Sequence, residues 1–143
     1  MLFPSSKRNR IIKKAVKKTV ADFSKRTPKI YQHFFYGAFD REPQNLVVWY
    51  LFATDAELEA AKLSGFCDDL VQATVRNLIS LGYPQEAFEI TPMGTPNITF
   101  HSGTDEERQN ILQSLTHRKA SISFTTKEDI DNTANGDYRV YFQ

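Results

Sequence analysis

Cysteine is nearly absent. Cys67 stands alone among 143 residues, so no internal disulfide framework can form, which fits a reducing compartment. Histidine is also scarce. His33, His101 and His117 lie far apart and in none of the HxxxH, CxxC or HExxH spacings, so no metal and no cofactor is expected. The six glycines are scattered, without a GxxxxGK[ST] or GxGxxG loop to cradle phosphate, and no serine sits in a GxSxG elbow. Long apolar runs are missing as well. The longest, Leu46 to Ala53, has eight residues, against the roughly 20 of a membrane-crossing helix. These absences predict a cytoplasmic chain without a membrane span.

A secretory signal is not expected either, because Thr19-Val20-Ala21-Asp22 interrupts any apolar core after the basic stretch Lys7 to Lys18. The basic, amphipathic first 29 residues also have the composition of a mitochondrial presequence, but they read better as an ordered part of the fold. At 143 residues, 41% hydrophobic and 24% charged, the chain has the size and composition of one domain spanning 1–143.

What the chain does have is a divided charge. Residues 1–29 hold ten Lys/Arg and one acid, and residues 30–143 hold eight Lys/Arg and sixteen acids. The local balances, +9 and −8, give the net +1. Such asymmetry points to a nucleic-acid or membrane-facing arm. Mutual neutralisation, a basic helix lying on an acidic body, explains it equally well.

The pattern predicts a helix over Lys7–Ser24 capped by Ser5 or Ser6, with Ile12, Val16, Val20 and Phe23 (and Ile11 and Ala15 beside them) facing the residue 30–143 body. Ile30–Phe39 and Leu46–Ala53 read as an antiparallel hairpin, the second strand apolar on both faces and therefore central. Thr54-Asp55-Ala56-Glu57 is a capping box that opens a helix to Ser64. A second helix, Cys67–Leu81, buries Cys67, Leu70, Val71, Thr74, Val75, Leu78 and Leu81 and turns Asp68, Asp69, Gln72, Arg76 and Asn77 outward. Ile98–Phe100 reads as a strand, Thr104–Thr116 as a helix, Ser121–Thr125 as a strand, Thr126–Asp131 as one helical turn, and Tyr138–Phe142 as a last strand after an Asn135-Gly136-Asp137 turn. The expected fold class is α+β: a mixed four- or five-stranded sheet with helices mainly on one face, in the order α-β-β-α-α-β-α-β-(α)-β.

No catalytic residue is expected. Cys67 lies on an apolar stripe with Asp68 and Asp69 beside it, conditions that keep a thiol protonated. The acids Asp68-Asp69, Asp105-Glu106-Glu107 and Glu128-Asp129 all fall in helix first turns, where they offset the macrodipole. Phe34-Phe35-Tyr36-Gly37-Ala38-Phe39 partly resembles the aromatic strand of an RNA-recognition sheet. No basic residue directly precedes Gly37, however, and the element order differs from that fold, so these aromatics read as core.

Three functions remain. The first is a non-catalytic protein that binds another protein, comparable in size and class to bacterial immunity proteins and antitoxins, through an acidic surface of Asp55, Glu57, Glu59, Asp68 and Asp69. The second is nucleic-acid binding through Arg10, Lys13, Lys14, Lys17 and Lys18. The third is an enzyme whose site is assembled only by the fold, for instance around His101 and Asp105. A membrane-surface role for the first helix is weaker, because its apolar face is mostly β-branched and lacks Trp and Leu.

Overall fold

The structure, a computed structural model, describes residues 6–88 and 119–142, with the backbone of residues 99 and 100. Helix α1 spans Lys7–Asp22 and starts where Ser6 Oγ accepts a hydrogen bond from the Asn9 amide at 3.0 Å. Its apolar spacing then decides its orientation. Ile12, Ala15, Val16 and Thr19 are buried, and Ile11, Val20 and Phe23 pack at the margin of the same core.

Strand β1 covers Gln32–Tyr36 and runs antiparallel to β2, Val47–Phe52, in the register Gln32↔Leu51 to Tyr36↔Val47. Gly37 makes the turn away from β1 possible. Its φ is +114°, and a Cβ there would stand 2.0 Å from the Asn45 carbonyl oxygen, so only glycine fits. Thr54 caps α2, Asp55–Leu63, by accepting from the Glu57 amide at 3.1 Å. After Gly65, α3 runs Phe66–Ser80.

A short stretch β3, Thr99–Phe100, and the longer β4, Ser121–Thr126, run parallel to each other. β4 also pairs parallel with β2, from Val47↔Ser121 to Phe52↔Thr126. β2 is thus central, between β1 and β4, with β3 on the far side of β4. The chain is a mixed helix-and-sheet protein.

Helix α4, Lys127–Ala134, is capped by Thr126 Oγ1, which accepts from the Asp129 amide at 2.9 Å. It is two turns long rather than the single turn that the sequence suggests. The expected last strand is overturned. Tyr138–Tyr141 is a helical turn, α5, because Asn135 closes α4 in the left-handed region (φ 51°) and Asp137 Oδ1 accepts from the Arg139 and Val140 amides. The element order therefore departs from the expected one at its C-terminal end. The expected helix Thr104–Thr116, and Ile98 of the expected strand, lie outside the described residues.

Apolar residues on both faces make β2 a buried divider. Val48, Tyr50 and Phe52, joined by Ile122 and Phe124 of β4, meet Ile12 and Val16 of α1, Leu58 of α2, and Leu70, Val71 and Leu78 of α3. Each such side chain contributes roughly 1.5–3 kcal/mol. On the opposite face, Trp49, Leu51 and Ile130 are covered by Phe34, Tyr138, Tyr141 and Phe142. The three longer helices share the first face, and α4 and α5 take the second.

α1 runs antiparallel to α3, with Phe23 edge-on to Phe66 (ring centroids 5.4 Å apart) at one end and Ile11 beside Gly82 at the other. Between these ends Asn77, expected on the outside of its helix, is buried instead, and its Nδ2 donates to Thr19 Oγ1 at 2.9 Å. No described helix is long and apolar enough to cross a membrane.

Candidate functional site

Since Ile12, Ala15, Val16 and Thr19 face inward with Ile11 and Val20 at the margin, the opposite side of a 100°-per-residue helix faces solvent. Arg10, Lys13, Lys14, Lys17 and Lys18 are all exposed. At 1.5 Å per residue they extend over about 12 Å of one helix face. Among the described residues, the ion pairs are Arg26–Asp69, Lys62–Glu59, Lys127–Asp131 and Arg139–Asp137. None involves Lys13, Lys14, Lys17 or Lys18. Lys7, Arg8 and Arg10 also sit in the first turn, at the positive end of the helix dipole, with no acid there. That placement disfavours the helix, so its own stability does not account for the cations.

The acids are spread out and partly engaged. Asp55 Oδ1 accepts from Thr126 Oγ1, and its amide donates to Glu128 Oε1 at 2.9 Å, tying the start of α2 to the β4–α4 junction. Glu59 stands 4.0 Å from Lys62 on the same helix. Glu57 follows Asp55 in the first turn of α2, and Asp68 and Asp69 occupy the first turn of α3. Asp69 meets Arg26 at 3.1 Å. Contact between the basic segment 7–29 and the acids of 55–69 comes down, among the described ion pairs, to this one bridge.

Cys67 is buried, and desolvation pushes its thiol up to about 12, outweighing the opposing pull of the nearby Lys62 charge; Asp68 adds to the rise. It is a core residue. His33 lies exposed on β1, whereas His101, His117 and Asp105 lie outside the described residues. No group of three metal-ligating side chains gathers among the described residues.

A second surface escapes sequence reading. Phe34 and Tyr36 project from the β1 face opposite α1, and α5 with its following residue lays Tyr138, Arg139 and Phe142 beside them. Together they line an open concavity of about 490 Å³. The polar ends of its rings are each engaged once. Tyr36 Oη accepts from Trp49 Nε1 at 3.0 Å, and Tyr138 Oη donates to Gln32 Oε1 at 2.8 Å. Ring surface, the Arg139 guanidinium, the Tyr36 O–H and the Tyr138 oxygen lone pairs remain for a ligand. The signal for this surface was present in Tyr138-Arg139-Val140-Tyr141-Phe142, but it became legible only once the segment is helical, which brings positions 138 and 142 onto one side.

No protein-family model matches the chain, and no curated protein or solved structure is significantly similar to it.

Proposed function

We propose that the protein is a non-catalytic, nucleic-acid-binding domain whose α1 helix meets the phosphate backbone. The observation that carries this reading is the exposed row Lys13, Lys14, Lys17 and Lys18, flanked by Arg10, with no described acid in ion-pair contact with the four lysines. Cations on a rigid helix at roughly 1.5 Å rise per residue suit a repeating polyanion, and binding releases the counterions condensed on it. A protein partner held by Asp55, Glu57, Glu59, Asp68 and Asp69 has less support, because Asp55 and Asp69 already serve intramolecular contacts.

Titration with labelled RNA and DNA over a range of salt concentrations tests this. Affinity should fall steeply as salt rises. Replacing Lys13, Lys14, Lys17 and Lys18 with Gln should flatten the slope of log K against log salt by about three to four. An unchanged slope, or a chain that ignores nucleic acid but captures a basic protein, overturns the reading.

A further inference from the structure

We infer that the concavity between β1 and α5 takes an unpaired nucleotide, its base stacked on the rings and its phosphate on Arg139, which makes single strands the preferred partner. This deepens the nucleic-acid reading of α1 and rests on it for the identity of the polymer. The site itself stands on separate residues, on the opposite face of the sheet.

Three observations converge. The concavity of about 490 Å³ is open and shallow, so it offers a stacking platform rather than an enclosing pocket. Its ring lining is Phe34, Tyr36, Tyr138 and Phe142, held in place where Tyr36 Oη accepts from Trp49 and Tyr138 Oη donates to Gln32. The lining is mostly ring, which suits a planar base of any sequence, with the Tyr36 O–H and the Tyr138 oxygen lone pairs left at its edge. The one charged residue of the lining is Arg139, whose side chain is 93% exposed.

Arg139 sets the sign of the ligand. A surface of aromatic rings alone would also suit a quaternary ammonium ion, but a guanidinium at its edge repels a cation and attracts a phosphate. The nearest acid meets it only through Nε and offsets part of its charge, leaving the two Nη groups to face a phosphate. Asp137 stands 3.8 Å from Arg139 Nε, and the same carboxylate oxygen accepts the Arg139 and Val140 amides as the cap of α5. Planar and anionic together describe a nucleotide.

Trp49, the chain's one tryptophan, reports on the site. Its indole donates to Tyr36, and its ring lies 4.8 Å from that of Phe142. Adding adenosine monophosphate should change Trp49 emission saturably. Arg139→Gln, a substitution at an exposed position, should weaken that binding about tenfold, down to the affinity of wild type for uncharged adenosine. Tyr138→Ala should abolish the advantage of a single strand over a duplex, about tenfold in affinity for one stacked base.

The variant with Lys13, Lys14, Lys17 and Lys18 changed to Gln should still bind the mononucleotide, so the site and the α1 reading can fail separately. Emission that ignores the mononucleotide, equal binding of adenosine and its phosphate, or emission that changes with protein concentration alone (a second copy filling the concavity) would each overturn the inference.

Discussion

Asn77 Nδ2 donates to Thr19 Oγ1 at 2.9 Å inside the α1–α3 contact. Thr19 Oγ1 in turn donates to the Ala15 carbonyl at 2.8 Å. Both residues are buried, so this is a polar tie that helps fix how α1 lies on the body, and with it which way the lysines point.

Thr19→Val keeps the shape of the side chain and removes the acceptor. The buried Asn77 amide is then left without it, at a cost of about 1–3 kcal/mol. Adding Asn77→Leu should restore much of the loss, because two apolar partners need no hydrogen bond. Urea unfolding of the two single variants and the double variant measures the coupling. Strictly additive losses would show that the pair does not act as a unit.

Alkaline pH should weaken the fold through three buried acids. Burial pushes Cys67 up to about 12 from its ordinary 9.0 and Tyr83 up to about 12 from 10.0, and it raises the Tyr50 phenol too. For an acid whose folded pKa is raised, the folded state holds its proton while the unfolded chain releases it. The associated stability is therefore complete below about pH 9 and is lost as pH rises toward 12. Unfolding free energies measured between pH 8 and 11 should fall steadily, and Cys67→Ala should make the early part of that fall shallower. A flat profile would mean that these groups ionise equally in both states.

The parts legible in the sequence are those where a single periodicity governs. The α1 stripe of Ile12, Val16 and Val20, the two-faced apolar run of β2 and the Thr54 cap each follow from local pattern, and each is present. Two features were not legible. Asn77 looks like a surface residue because its type is usually exposed, and only its tertiary partner Thr19 makes it a core residue. Tyr138–Phe142 has strand composition, but five residues are too few for period to decide between strand and helix. The decision falls to Asp137, whose carboxylate satisfies two amides of a helical turn, and to the ring-lined sheet face that the turn then covers. The aromatic concavity was hidden for the same reason, since it exists only where β1 and α5 meet.

Arg26 is held by rings more than by charge. Its guanidinium carbon lies 4.9 Å from the ring centroids of both Phe23 and Phe66 and caps the T-shaped pair that closes one end of the α1–α3 contact. The Asp69 bridge is exposed on both sides, 42% and 54%, and such pairs contribute about 0–1 kcal/mol. Asp69→Asn should cost less than about 0.5 kcal/mol and nothing in 1 M salt, where screening acts within about 3 Å. Arg26→Ala should cost about 1 kcal/mol and keep most of that loss in high salt. Equal losses that salt erases would assign the whole effect to the ion pair.

The basic face of α1 should be a burden to the fold that carries it. Lys13 and Lys17, Arg10 and Lys14, and Lys14 and Lys18 are like charges four residues apart on one helix, each pair unfavourable by roughly 0.2–0.5 kcal/mol. The first-turn cations add their conflict with the helix dipole. Changing Lys13, Lys14, Lys17 and Lys18 to Gln should therefore leave the chain as stable as before or raise its stability by about 1 kcal/mol, most visibly at low salt, while nucleic-acid affinity collapses. Stability and binding moving in opposite directions is what a surface kept for a ligand produces. A four-lysine variant that unfolds more readily than wild type would instead mean that these charges hold α1 to the body, and the role of the helix would be structural.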